Sequence, residues 1–195
     1  MIYLASQSPR RRELLEQIGI QFEVLALLEA EVDESPWPNE DPVVYVQRVC
    51  HAKAQAGWAV LHQRGMPLHP VLAADTTVAL DGQIFGKPID DGDAANILRS
   101  LSGSKHQVLT AIAVAVAGRI ESRLSVTDIT FARLEDERIR HYIATGETYD
   151  KAGAYGIQGH AGAFVQRIEG SYSGVVGLPL FETVELLKSC GCPVP

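Results

Sequence analysis

The segment Ser6-Gln7-Ser8-Pro9-Arg10-Arg11-Arg12 joins the end of an apolar run to a good helix start. Free backbone N–H groups at a helix N-terminus, two hydroxyls and adjacent guanidiniums together suit a polyphosphate. Arginines in a first turn oppose the helix dipole, and a bound anion compensates that placement. The plainer reading is a capped helix with a solvated basic turn. The glycine run and terminal Lys-Ser/Thr of a Walker A loop are missing.

Asp75 closes the run Val71-Leu72-Ala73-Ala74. A carboxylate at a strand end suits Mg²⁺ chelation or activation of water, and a satisfied turn aspartate is the alternative. Lys87, in Phe85-Gly86-Lys87-Pro88, presents a cation on a tight loop. Between Asp150 and Gly159, the glycines at 153, 156 and 159 would let the backbone approach a ligand, beside the polar groups of Asp150, Lys151 and Gln158. Gln158 offers both a donor and an acceptor, which reading a base edge requires; a glycine-rich hairpin is the competing account. Ser6, Ser8 and Ser171 lack a recognisable His/Asp relay, which disfavours a serine hydrolase. Cys190-Gly191-Cys192 has no accompanying His or Cys cluster and reads as incidental rather than as a metal site.

The elements that must carry these groups follow from pattern. Ile2–Ala5 predicts a short buried strand, and Ser8-Pro9 predicts a capped helix ending at Gly19. Phe22–Leu28 predicts a strand, and the proline-bearing stretch Asp33–Asp41 a loop. Asp41-Pro42 opens a helix that reaches Leu61 with Val46, Val49 and Cys50 inward. Val71–Leu80 runs to an Asp81-Gly82 turn, and a helix covers Asp93–Leu101. Val108–Ala117 and Ile120–Phe131 form a hairpin across Gly118-Arg119, followed by a helix over Glu135–Thr145. Short strands are predicted at Tyr155–Ile157, Ala163–Ile168 and Gly174–Gly177, with a closing helix over Pro179–Leu187. The class is α/β with antiparallel pairing and no internal repeat.

Composition narrows the setting. The 195 residues, 46% hydrophobic and 21% charged, are enough for one core or for two lobes sharing one. A net charge of -7 argues against a protein that coats nucleic acid, while leaving room for cations focused in one cleft. Arg10–Arg12 interrupts the N-terminus before a signal-peptide core develops, and Val108–Gly118 is too short to span a membrane. A cytoplasmic protein with no membrane partner is the expectation.

These pieces, in their order, resemble the Maf family, in its branch acting on dTTP and UTP. The likeness is carried by Leu4-Ala5-Ser6-Gln7-Ser8-Pro9-Arg10-Arg11, Asp33-Glu34, Lys53 in Ala52-Lys53-Ala54, Ala74-Asp75-Thr76 and Gly86-Lys87-Pro88. It continues through Leu101-Ser102-Gly103, the whole of Asp150–Gly159 and Gly177-Leu178-Pro179. The resemblance implies a Maf/inosine-triphosphatase-like α/β fold: one domain over residues 1–195, an elongated mixed sheet flanked by helices, and a cleft between two lobes. It implies a nucleoside triphosphate pyrophosphatase with Asp75 as general base and Glu34 assisting at a divalent metal, Mg²⁺ first and Mn²⁺ as the alternative. Lys53 and Lys87 would lie near the phosphates, with Ser6, Ser8, Arg11 and Lys151 holding substrate. Arg10, Thr76 and Gln158 match the pyrimidine branch, so dTTP and UTP are the implied substrates, with CTP or modified pyrimidine triphosphates as further ones. A homodimer is also implied. Leu27–Glu31 lengthens the chain before Glu34 relative to the family pattern, making Glu31 the alternative acid. A purine house-cleaning pyrophosphatase and a nucleotide-binding division regulator are the rival readings.

Overall fold

The computed structural model describes residues 1–27, 32–192 and 194. In chain order its elements are β1 (Ile2–Leu4), α1 (Pro9–Gln17), β2 (Phe22–Val24), α2 (Pro42–Gln63), β3 (Val71–Leu80) and β4 (Gln83–Phe85). There follow α3 (Asp91–Leu101), β5 (Lys105–Val116), β6 (Arg119–Phe131), α4 (Asp136–Ile143), β7 (Val165–Glu169), α5 (Tyr172–Val176) and α6 (Leu180–Ser189). One mixed sheet takes the order β2-β1-β3-β5-β6-β7, with β4 paired to β3. This is the mixed α/β sheet flanked by helices that the family resemblance implied.

β3 and β5 form the middle of the sheet, and their two faces bury different partners. On one face Val71, Ala73, Ala79, Ala111 and Ala113 pack under Val46, Val49, Cys50 and Ala54 of α2. The small side chains let the helix come close. At Gly57 a Cβ would lie 2.8 Å from Val71 Cγ1 and 3.2 Å from Ala5 Cβ. On the other face Leu72, Ala74, Ile112 and Val114 meet Leu14 and Leu15 of α1 and Leu186 and Leu187 of α6. The far end of the sheet has its own core, where Phe131, Tyr142, Tyr155 and Phe164 stack edge to face with Leu98 and Leu101 of α3 nearby.

Several boundaries differ from expectation for identifiable reasons. Asp41 caps α2 by accepting from Val43 and Val44 N–H, as predicted. The cap at Ser8 is positional only: its side chain makes no capping bond, and its own N–H donates to Ser6 Oγ at 3.3 Å. α3 begins at Asp91 rather than Asp93, because the Asp90 side chain caps it by accepting from Asp93 N–H. Residues 174–176, predicted as strand, form part of α5, whose first turn is closed by Ser171 Oγ accepting from Gly174 N–H. Tyr155–Ile157 is not a strand either, and His160–Phe164 is a 3-10 turn leading into β7. The predicted strand Phe22–Leu28 is regular only through Val24, and Leu28 lies outside the described residues. Among the described residues no helix is long and apolar enough to cross a membrane.

Candidate active site

The site begins with a change of neighbour along β3. β1 pairs in parallel with β3 only as far as Leu4 opposite Leu72, and β4 pairs antiparallel from Val78 onward. Between them residues 73–77 have no strand partner on that edge among the described residues. A sheet edge that opens where strand direction switches is where α/β folds admit ligands. The opening leads into a cleft of about 990 Å³.

Asp75 therefore does not end its strand, as its sequence context suggested. It lies mid-strand, opposite Ala111, and only the β1 partnership ends near it. The two-residue period of the strand points it to the same face as Val71 and Ala73, toward α2. There Lys53 donates to Asp75 Oδ1 at 2.7 Å and reaches Glu34 Oε2 at 2.9 Å. Asp75 is 6% exposed. Burial pushes its carboxyl above the usual range, against the pull of Lys53 and Arg11. A carboxyl shifted in this direction holds a proton more readily than a solvated one.

Thr76 faces the opposite side, where it forms a cross-strand pair with Thr110. Arg11 Nη2 donates to Thr76 Oγ1 at 3.2 Å, and the two threonine oxygens are 3.0 Å apart. Thr110 Oγ1 donates to the Gly174 carbonyl at 2.8 Å. Thr110 has spent its proton, so the Thr76 hydroxyl must donate to Thr110 while accepting from Arg11. Thr76 can offer substrate an acceptor but no donor. Arg11 is further held by the Gly177 carbonyl at 2.8 Å and Ser6 Oγ at 3.0 Å. Burial lowers its pKa against the opposing effect of Asp75, yet a guanidinium stays charged. Two of its five N–H groups are left over. Ser6 Oγ accepts from both Arg11 and Ser8 N–H, which leaves its O–H to donate into the cleft.

The far wall is the segment 147–159. Its glycines answer to the protein's own packing, and Gly156 and Gly159 also line the cleft. A Cβ at Gly153 would lie 2.7 Å from Val78 Cγ2, and Gly153 has φ +72°. One at Gly156 would lie 2.6 Å from Lys151 Cε, and one at Gly159 would overlap the Glu147 carboxylate. Lys151 donates to the Glu147 carbonyl at 2.8 Å and pairs with Asp150, which also holds Arg10 at 3.0 Å. Glu147 is itself paired with His160. Gln158 is exposed at the rim, and Lys87 is exposed with no ion pair to the described residues.

The candidate residues Ser6, Ser8, Arg10, Arg11, Glu34, Lys53, Asp75, Thr76, Lys87, Lys151 and Gln158 line this one cleft. Glu31, the alternative acid, lies outside the described residues. Sequence reasoning missed Tyr45 and Thr110, whose hydroxyls act on backbone, and had no signal for them beyond position. The cysteines are free and buried. Burial, helped by the nearby Asp75 charge, pushes the Cys50 thiol up to about 12, so it is no nucleophile. No group of three or more His, Cys, Asp or Glu side chains suited to a metal occurs among the described residues. Glu34 and Asp75 converge on one ammonium, however, and Mg²⁺ commonly uses one or two carboxylates and takes the rest of its shell from water and substrate phosphate. The pair fits a cation that arrives with a triphosphate.

Residues 1–190 match the family described as Maf-like protein. A protein of Aromatoleum aromaticum named dTTP/UTP pyrophosphatase is 56% identical, with 99% of this chain and 97% of that protein covered. One of the same name from Nitrosomonas europaea is 56% identical over 99% of this chain and 96% of its own length. Another from Chromobacterium violaceum is 54% identical over 100% and 96%.

Proposed function

This chain belongs to the Maf family, and from that premise we propose that it hydrolyses dTTP and UTP to the nucleoside monophosphate and pyrophosphate. The observation that carries the reading is the buried Asp75 carboxylate, turned to Lys53 and Glu34 in a cleft whose opposite wall presents Ser6 and Arg11.

In this account Asp75 takes a proton from a water whose oxygen bonds to the α-phosphorus. The bond from that phosphorus to the bridging oxygen breaks, and its electrons leave with pyrophosphate. Arg11 and Ser6 donate to non-bridging and departing oxygens, where charge accumulates. Lys53 keeps Asp75 and Glu34 at a common point and screens their charge from the incoming anion. A divalent cation, Mg²⁺ or Mn²⁺, held by Asp75, Glu34 and phosphate oxygens would add Lewis-acid stabilisation. Lys87 and Lys151 extend the positive rim along the polyphosphate. The Arg10–Asp150 pair spans the mouth of the cleft, so binding a triphosphate exchanges one anion for another at Arg10.

Gln158 is the base-reading group in this account, since an amide meets both the donor and the acceptor edge of uracil or thymine. CTP and modified pyrimidine triphosphates are further substrates to be measured. The same reading takes the working enzyme as a cytoplasmic homodimer, which fractionation and sedimentation test. The function itself is tested by kcat/KM for dTTP, UTP, CTP, GTP, ITP and 7-methyl-GTP under one Mg²⁺ condition. UTP and dTTP should lead, and a lead for ITP or 7-methyl-GTP would overturn the branch.

A further inference from the structure

Glu34 sits in a stretch, residues 32–41, that contains neither helix nor strand, and its side chain is 52% exposed. A carboxylate on such a segment would lose much of its effective concentration at the site unless the backbone beneath it were tied down. Three successive carbonyls are tied down, all by the first turns of α2. Arg48 Nη1 donates to the Asp33 carbonyl at 3.4 Å and Nη2 to the Ser35 carbonyl at 3.0 Å. Between them Tyr45 Oη donates to the Glu34 carbonyl at 2.9 Å. The Arg48 fork is held in turn by Glu40, at 2.6 and 2.8 Å, and lies 4.2 Å from the centre of the Trp37 ring. Glu40 Oε2 also accepts from Trp37 N–H at 2.9 Å, closing the segment on itself. Burial, with the charges of Asp75 and Glu34, pushes the Tyr45 phenol up to about 12, so it remains a donor.

We propose that Tyr45 and Arg48 are positioning residues that fix Glu34 relative to Asp75. One helix holds every part of the arrangement. Tyr45 and Arg48, three residues apart on α2, grip the backbone around Glu34. Lys53, further along the same helix, grips the Glu34 and Asp75 carboxylates together. The separation of the two acids is thereby referred to a rigid element rather than to the irregular segment. Lysine at position 48 would keep the charge but lose the planar fork that spans two carbonyls and a carboxylate at once. The proposal rests on the reading that Glu34 works with Asp75 in triphosphate hydrolysis.

The test is a double-mutant cycle on the full chain with UTP and Mg²⁺, using Arg48→Lys, Tyr45→Phe, Glu34→Gln and the two doubles with Glu34→Gln. Arg48→Lys should lower kcat about tenfold and Tyr45→Phe about threefold, with KM changed by less than about twofold. In the Glu34→Gln background each should cost less than about twofold, because there is no longer a carboxylate to position. Amide hydrogen exchange of the same proteins should rise across Asp33–Trp37 and stay at parental values in α2 and β3. Equal losses in both backgrounds, or unchanged exchange in that segment, would overturn the proposal. A parent that turns over UTP while Glu34→Gln costs nothing would also overturn it, leaving the function intact. A parent inert toward UTP and dTTP would instead sink the functional reading, and exchange alone would then judge the brace.

Discussion

Lys53 donates to Asp75 from a helix that one turn later, at Gly57, lies so near the sheet that a Cβ would meet Val71 Cγ1 at 2.8 Å. The 2.7 Å contact is thus set by the packing of α2 on β3 as much as by the attraction of the two charges. Two consequences can be measured separately.

Asp75→Asn should abolish the proton acceptor without harming the fold. The buried site already disfavours the ionised carboxyl, so a neutral isostere relieves a burial cost while keeping an oxygen for Lys53. Turnover of UTP should fall by about three orders of magnitude or more. The melting temperature should stay at or above the parent's. Near-parental turnover in the folded variant would remove Asp75 from the chemistry.

Gly57→Ala sets helix propensity against packing. Alanine gains about 1 kcal/mol in a helix interior, but its Cβ would meet the β-branched Val71 at 2.8 Å and cannot be absorbed by a flexible chain end. Overpacking of this kind costs about 1–3 kcal/mol. We expect a net loss of melting temperature of a few degrees, with reduced kcat as Lys53 is lifted from Asp75. A variant that melts higher than the parent would mean that α2 has slack over β3.

Acid should destabilise the fold through His106, which is 1% exposed and bonded through Nε2 to Tyr155 at 2.9 Å. Burial lowers its pKa from 6.5 to about 4. Between those values the unfolded chain takes up a proton that the folded one refuses, so stability falls as pH falls through the window. About 2 kcal/mol of the stability at pH 7 should be gone at pH 5 on this account. Urea unfolding at the two pH values, compared with His106→Gln, isolates the contribution. Equal pH slopes for parent and variant would exclude His106 as the source.

Gln158→Glu should alter preference more than fold, because the residue is exposed at the cleft rim. A carboxylate accepts but does not donate, so it mismatches uracil and thymine and suits a cationic methylated guanine. The ratio of kcat/KM for UTP to that for 7-methyl-GTP should fall by about tenfold or more. An unchanged ratio would assign base reading to another part of the cleft.

Much of this site was legible because residue type and spacing carried it. The Asp41-Pro42 helix start placed Lys53 on α2, and the apolar run before Asp75 placed that acid on a strand. The β5–β6 hairpin could be read from two strand-like runs around Gly118. What escaped depended on partners distant in sequence. Asp75 looked like a strand end because its apolar neighbours stop there, whereas the end belongs to β1. Residues 174–176 look extended in isolation and turn helical because Ser171 caps them and Thr110 takes the Gly174 carbonyl. The glycines at 153, 156 and 159 suggested a ligand, and only tertiary contacts reveal that Val78, Lys151 and Glu147 fill the space beside them.

Attack of water on the α-phosphorus of a pyrimidine triphosphate, with Asp75 accepting its proton, fixes where a water oxygen must end up. Single-turnover hydrolysis of UTP in ¹⁸O-labelled water, without added pyrophosphatase, follows that oxygen. One labelled oxygen should appear in UMP, with unlabelled pyrophosphate as the first other product and no such label transfer on the same timescale with Asp75→Asn. Label in pyrophosphate would move the attack to the β-phosphorus, and orthophosphate with UDP as first products would overturn the mechanism.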